Sequence, residues 1–259
     1  GQNTGLLYAP HGGSLHFDSK SLKGRIFFAA ERFLELLRDR LLFVCNYEKR
    51  TYAQKIGEPK STYSVIYNGL QEVEFQPIKI DADASDYLFI GMMRDLKGAD
   101  VFIKALAALH STGRNMLTAT MVGEGPELAR YQTIAKELGL KDHIEFKEAM
   151  PARKAFQLAR SVIVPSRAEA FPYIVLEAIA AHKAVGATDV GGIPEIMPDA
   201  DPALVPSGNV NALAEAMLQL AGNPNAPSEL AKLADDLKQK FSIDVMVVAV
   251  EEAYRETLL

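Results

Sequence analysis

The stretch SVIVPSRAEAFPYIVLEAIAAHKAVGATDVGGIPEI, residues 161–196, decides the fold. Ser161–Val164 and Ala184–Thr188 are short β-branched or small apolar runs, closed by Pro165 and Ser166 in one case and by Asp189, Gly191 and Gly192 in the other. Between them, residues 172–183 repeat apolar side chains at helical spacing. Strand, helix and strand in that order form a parallel unit whose sheet needs cover on both faces. Pro172 suits the first helical position, because its fixed φ matches and its missing N–H would be unpaired there anyway.

The alternation extends in both directions. Downstream come the strand ALVPSG (203–208), a helix over 210–221 and two or three closing helices. Upstream lie the strands DYLFIGMM (86–93), MLTATMVGEG (116–125) and HIEFKEA (143–149), with helices over 99–113, 126–140 and 151–160. Before Pro77 the pattern is shorter. It holds GLLYAPHGG (5–13), an amphipathic helix over 22–38, RLLFVCN (40–46), a helix over 48–57 and STYSVIYNG (61–69). Residues 70–84 lose periodicity and read as a linker. The expected organisation is a partial α/β domain over 1–78, a complete doubly wound Rossmann-like domain over 79–242, and a C-terminal helix over 243–259 crossing back to the first. The first domain reads as the back half of one whose front is absent.

Composition narrows the function. The 259 residues are 48% hydrophobic and 24% charged, enough apolar material for a core. The net charge of −5 argues against a nucleic-acid binder. Cys45 is the one cysteine, so no intrachain disulfide forms and a cytoplasmic setting is expected. The histidines are scattered, without zinc spacing. The longest apolar run, 245–250, is far too short to span a membrane. Gly1-Gln2 opens no charged leader, so no signal peptide is expected and the chain reads as a fragment.

Charge is uneven. Residues 1–80 hold 11 Lys/Arg against 8 Asp/Glu, a local excess of positive charge. Lys20, Lys23, Arg25, Arg32, Arg38 and Arg40 flank Ile26, Phe27, Ala30, Phe33, Leu34 and Leu37. The ordinary expectation is a helix packing those apolar residues into a core. The sharper one is a helix over 20–40 resting peripherally on anionic lipid.

In an open parallel sheet, ligands sit beyond the carboxyl ends of the strands. The loop after Val164 carries Glu169, and Glu177 follows Pro172 by five residues, about 7.5 Å along the helix. Free N–H groups at that helix start favour an anion such as a diphosphate, and carboxylates accept from sugar hydroxyls. Taken alone, the pair also fits two surface glutamates beside an ordinary helix. FIGMMRDLKGAD (89–100) places Arg94 and Lys97 at another strand-to-helix turn, where they would neutralise a diphosphate without a metal. MVGEGP (121–126) ends a strand at Gly123 and Glu124, TDVGGIPEI (188–196) opens a Gly-Gly loop, and YAPHGG (8–13) sets His11 at a strand end.

Together these segments resemble glycosyltransferase family 4, the retaining enzymes of the GT-B fold. The resemblance rests on P-S-x-x-E-x-F-x-x-x-x-L-E-A, the T-D-V-G-G-I-P-E segment, GMMRDLKG, VGEGPELARYQTIAKELGL and YSVIYNGLQEVEFQP, in the family's order. It implies transfer of a sugar from a UDP-, GDP- or ADP-sugar to a sugar or lipid-linked acceptor, with retention, no divalent metal and no further cofactor. It implies that Lys97 contacts the diphosphate, Glu169 the sugar hydroxyls, and Glu177 the ribose. The backbone at Ala170 and Phe171 would meet sugar and phosphate, Gly123 and Glu124 would lie near the nucleotide, and His11 would approach the sugar from the first domain. Met92 stands where the family often has arginine, with Arg94 as its substitute, and Ala170 and Pro172 replace glycines. Without the front of its first domain, the fragment is expected to bind donor and transfer poorly or not at all.

Two D-x-D pairs, Asp81/Asp83 and Asp199/Asp201, read as solvated turns rather than manganese ligands. VGEGPE lacks the third glycine of a nicotinamide-binding turn. A non-catalytic nucleotide-sugar-binding module is the remaining alternative.

Overall fold

The computed structural model describes residues 5–258 apart from 11, 12, 14, 16, 19, 115, 198–200 and 223–226. Near-continuous apolar strands, unable to alternate because both faces are covered, build a six-stranded parallel sheet. Its strands are β4 (Ser85–Ile90), β5 (Ala119–Val122), β6 (Ile144–Lys147), β7 (Ala159–Val164), β8 (Ala184–Thr188) and β9 (Leu204–Val205). They lie in the order β6-β5-β4-β7-β8-β9. A second parallel sheet, in the order β1-β2-β3, holds β1 (Leu7–Tyr8), β2 (Arg40–Phe43) and β3 (Thr62–Val65).

The helices are α1 (Leu22–Leu34), α2 (Asn46–Lys55), α3 (Ala99–Ser111), α4 (Leu128–Glu137), α5 (Ala152–Ala155), α6 (Tyr173–Ala180), α7 (Val210–Gly222), α8 (Pro227–Phe241) and α9 (Ile243–Leu258). In the larger lobe α3 packs with α4 and α7, and α6 with α5 and α8. The core between these layers is centred on Tyr87, Leu88, Phe89, Phe102, Leu106, Met121, Val162 and Leu176. Pro172 is extended and sits just before the first turn of α6 instead of inside it, one residue from its expected place.

The connection from β6 to β7 crosses back over β4. The sheet therefore reverses its winding between β4 and β7, and a crevice opens beyond their carboxyl ends. The loops 91–98 and 165–172 follow those two strands.

The smaller lobe departs from expectation at α1. The apolar positions expected to form its core face outward: Ile26 is 62% exposed and Phe33 64%, and Phe27, Ala30, Leu34 and Leu37 are exposed with them. The helix instead buries Gly24, Phe28 and Glu31, and the turn after it buries Glu35 and Arg38. The inward acids are satisfied. Tyr8 Oη donates to Glu31 at 2.9 Å, and Arg38 Nη2 donates to the same carboxylate at 3.3 Å. Glu35 accepts from the Lys60 N–H at 2.5 Å and from Tyr52 Oη at 3.4 Å.

The chain passes between lobes twice, and the two passes are bonded together. Leu70 is buried, its N–H donates to the Phe241 carbonyl at 2.8 Å, and its own carbonyl accepts from Ile243 at 2.8 Å. The segment after Gly69 is thus packed, with a 3-10 turn at Glu72–Phe75, where loss of periodicity suggested only a linker. Beyond this junction α9 lies on the smaller lobe, where Arg40 pairs with Glu256 at 2.8 Å and donates to Thr257 Oγ1 at 3.2 Å.

Candidate donor site

All six strands of the larger sheet point the same way, so their following loops gather at one edge. The β4 loop ends in a 3-10 turn, Asp95–Lys97, closed by Gly98 in the left-handed region at φ 69°. A side chain at Gly98 would also collide with the Pro165 carbonyl, at 1.9 Å from an added Cβ. Only glycine meets both demands, and it lets the β4 and β7 loops touch. Arg167 fastens them. Its N–H donates to the Leu96 carbonyl at 2.8 Å, and its guanidinium reaches the Asp95 carbonyl at 2.6 Å and buried Asp100 at 2.9 Å. Burial alone would raise the Asp100 pKa, but Arg167 and Lys104 outweigh it and hold the carboxyl below its ordinary value.

This fastening brings Lys97 and Glu169 together. Lys97 Nζ lies 2.6 Å from Glu169 Oε1, and Ser166 Oγ donates to the same oxygen at 2.7 Å. Both side chains are mostly buried, so salt screens the pair less than it screens a surface ion pair. Glu169 Oε2 accepts nothing among the described residues, which leaves one carboxylate oxygen for a hydroxyl. Among the described residues no acceptor takes the backbone N–H of Glu169, Ala170 or Phe171, just before α6. A cation, a held carboxylate and unpaired N–H groups thus share one edge, an arrangement suited to a phosphate flanked by a polyol.

The other expected residues distribute unevenly. Glu177 is half-buried on the flank of α6 and has no contact with the pair. Burial raises its pKa, and the nearby Glu74 carboxylate raises it further. Arg94 is exposed, with no ion pair among the described residues. Gly123 is buried at the end of β5, and its N–H donates to the Lys147 carbonyl. Glu124 is exposed, and its carbonyl accepts from Met93 at 2.8 Å. The Ala170 carbonyl is occupied by the Gly192 N–H at 2.7 Å and the Cys45 thiol at 3.4 Å. The Phe171 ring turns inward, 5.2 Å from Tyr67 and 5.6 Å from Phe241, so only its backbone is left for a ligand. His11 lies outside the described residues, as does Asp199. No group of three or more metal-ligating side chains occurs among the described residues.

Glu195, read only as part of a motif, joins the lobes. Its carboxylate accepts from the Asn46 N–H at 3.0 Å, the Tyr47 N–H at 2.7 Å, Asn46 Nδ2 at 3.0 Å and Tyr67 Oη at 2.9 Å. It therefore sits on the positive end of α2. Burial would raise its pKa, yet these hydrogen bonds hold it below the ordinary 4.5. A cleft of about 480 Å³ opens beside this seam, lined among others by Tyr47, Arg50, Arg167, Asp189 and Gly191. Ser166, Arg167 and Glu195 were legible only as loop polar residues, because their partners lie far away in sequence.

Comparison with known proteins agrees with this architecture. The family model described as "Glycosyl transferases group 1" matches residues 71–238. An uncharacterized glycosyltransferase of Methanocaldococcus jannaschii is 28% identical over 254 residues, which cover 95% of this chain and 67% of that protein. A D-inositol 3-phosphate glycosyltransferase of Acidothermus cellulolyticus is 27% identical over 241 residues, covering 85% of this chain and 54% of its own length. The chain thus spans from about half to two thirds of these relatives. Among solved structures, Anabaena HepE in complex with UDP-glucose superposes with a TM-score of 0.82 at 18% identity, covering 97% of this chain and 72% of that one. Sucrose-phosphate synthase from Thermosynechococcus elongatus gives 0.82 at 20% identity, covering 96% and 67%. These likenesses identify the GT-B fold. With the family match running over the segments that hold Lys97, Glu169 and Glu177, the chain belongs to the group 1 glycosyl transferases.

Proposed function

We propose that the protein binds a nucleoside diphosphate sugar at the carboxyl edge of the larger sheet and transfers the sugar, with retention, to an acceptor hydroxyl. The observation that carries this reading is the half-buried Lys97–Glu169 pair beside N–H groups preceding α6 that have no acceptor among the described residues. The UDP and UDP-glucose held by HepE favour a uridine donor among the UDP, GDP and ADP options.

Negative charge grows on the leaving diphosphate as the glycosidic bond breaks. Lys97, with Arg94 at the rim and the N–H groups around Ala170, would stabilise that charge without a metal. Glu169 is a positioning group: one oxygen is tied to Lys97 and Ser166, and the other is left for the sugar hydroxyls. That engagement suits same-face attack assisted by the leaving phosphate better than a covalent glycosyl-enzyme. Glu177 would take the ribose hydroxyls, and Gly123 and Glu124 would border the nucleotide. The acceptor is a sugar or a lipid-linked sugar, in cytoplasmic glycan, lipopolysaccharide or exopolysaccharide synthesis.

Calorimetric titration with UDP tests the reading. Wild type binds UDP, and Lys97→Ala weakens it by about 1.5–3 kcal/mol through loss of a charge-assisted partner. Glu177→Ala weakens UDP but not free diphosphate. Failure of the wild-type chain to bind UDP, GDP or ADP would overturn the donor site. Unchanged UDP affinity in Lys97→Ala would remove Lys97 from it.

A further inference from the structure

We propose, resting on the donor reading above, that Glu169 tilts the site toward the intact nucleotide sugar and against the free nucleoside diphosphate left when the sugar departs. The three N–H groups without an acceptor among the described residues belong to Glu169, Ala170 and Phe171. A phosphate drawn to them settles against a residue that also carries a carboxylate. In open water two such charges would move apart. Here the carboxylate has little room to do so.

The Glu169 side chain is 10% exposed. Its backbone is clamped on one flank by the Gly-Gly loop. The Gly192 N–H donates to the Ala170 carbonyl at 2.7 Å, and a Cβ added to Gly191 would stand 2.0 Å from the Glu169 carbonyl oxygen. On the other flank Arg167 ties the same loop to Leu96 and Asp95. Ser166, 1% exposed, donates to Oε1 at 2.7 Å, and its own carbonyl accepts from Thr188 Oγ1 at 2.6 Å and Ser207 Oγ at 3.1 Å. The negative charge therefore stays where the diphosphate has to settle.

Lys97 Nζ has no acceptor other than Glu169 among the described residues, so the two charges offset each other. A free diphosphate competes with Glu169 for that cation and gives the carboxylate no donor. A nucleotide sugar brings hydroxyls that can donate to Oε2, the oxygen without a partner among the described residues, and hydrogen bonds to a charged acceptor are among the stronger ones. The same carboxylate thus repels both ligands through their phosphates and holds only one of them through its sugar. Once the sugar has been transferred, the repulsion is no longer offset, which favours release of the spent nucleotide.

Calorimetric titration of Glu169→Gln with UDP and with UDP-glucose tests this role on the full chain. Glutamine keeps the size and an acceptor oxygen but removes the charge. Free UDP should bind at least about threefold tighter than to wild type, because a like charge beside the phosphates is gone and Lys97 is released. UDP-glucose should not gain, and its affinity relative to UDP should fall about tenfold, because its hydroxyls lose a charged acceptor. Structural damage would weaken both ligands, so it cannot imitate a variant that tightens one of them. Unchanged or weaker UDP binding in Glu169→Gln overturns the proposal, and so does equal tightening of both ligands. In either case the donor reading stands as long as wild type binds UDP. Wild type that binds neither UDP nor UDP-glucose would remove the uridine donor reading, and this role with it.

Discussion

Helices α1 and α3 are both 13 residues long, and both carry an apolar stripe at helical spacing. They use it in opposite directions. α3 buries Val101, Phe102, Ile103, Ala105, Leu106 and Leu109 beneath α4 and α7. α1 buries Phe28 and Glu31 and, just beyond them, Glu35 and Arg38, and turns Leu22, Ile26, Phe27, Phe33 and Leu34 outward. A periodic pattern defines a stripe but not its destination. The destination depends on what waits for the opposite stripe: the inward side of α3 is hydrocarbon apart from Asp100, which Arg167 and Lys104 pair, whereas the acids of α1 and of the turn after it meet Tyr8, Tyr52 and the Lys60 N–H.

Matched truncations test this contrast most strongly. Phe102→Ala should cost about 3–5 kcal/mol, the usual loss for a fully buried aromatic ring. Phe33→Ala should change stability by less than about 0.5 kcal/mol. Denaturant midpoints measure both, and comparable losses would show that the outer face of α1 is packed in solution.

Glu35→Ala probes what orients α1. It strands the Lys60 N–H and Tyr52 Oη, so a loss of about 1–3 kcal/mol is expected. A variant as stable as wild type would mean that the inward acids do not set the roll of the helix.

The smallest effect concerns the seam. Glu195→Gln keeps an acceptor but loses the charge at the α2 N-terminus, worth about 0.3–1 kcal/mol. Because the folded pKa of Glu195 lies below 4.5, its contribution is complete above that pH and disappears as pH falls through the folded value. Thermal melts of the two proteins should therefore differ at pH 7 and converge in acid. A constant difference across pH would detach the effect from the carboxylate.

Much of the larger lobe was legible because its strands are unbroken apolar runs and its turns hold Pro, Gly and Asp where the chain must bend. Strand order was not, since nothing local tells β7 to return beside β4. Lys97 and Glu169 could be named from their loops, but their contact depends on Arg167 and Gly98 fastening two segments some seventy residues apart. The pairing of Glu195 with Asn46 and Tyr47 spans an even longer separation, and one glutamate in a Gly-rich turn carries no local sign of it. The roll of α1 left a faint trace: Glu31, Glu35 and Arg38 form a second stripe that a search for hydrophobic residues passes over.

The hydrogen-bonded pair at Leu70 and Phe241–Ile243 has a mechanical consequence. Two crossings fixed side by side act like aligned hinge pins, so one lobe can swing relative to the other but cannot slide past it. Such a swing has to unseat Glu195 from α2 and part Cys45 from the Ala170 carbonyl each time the jaws open, so these contacts act together as the catch on the door.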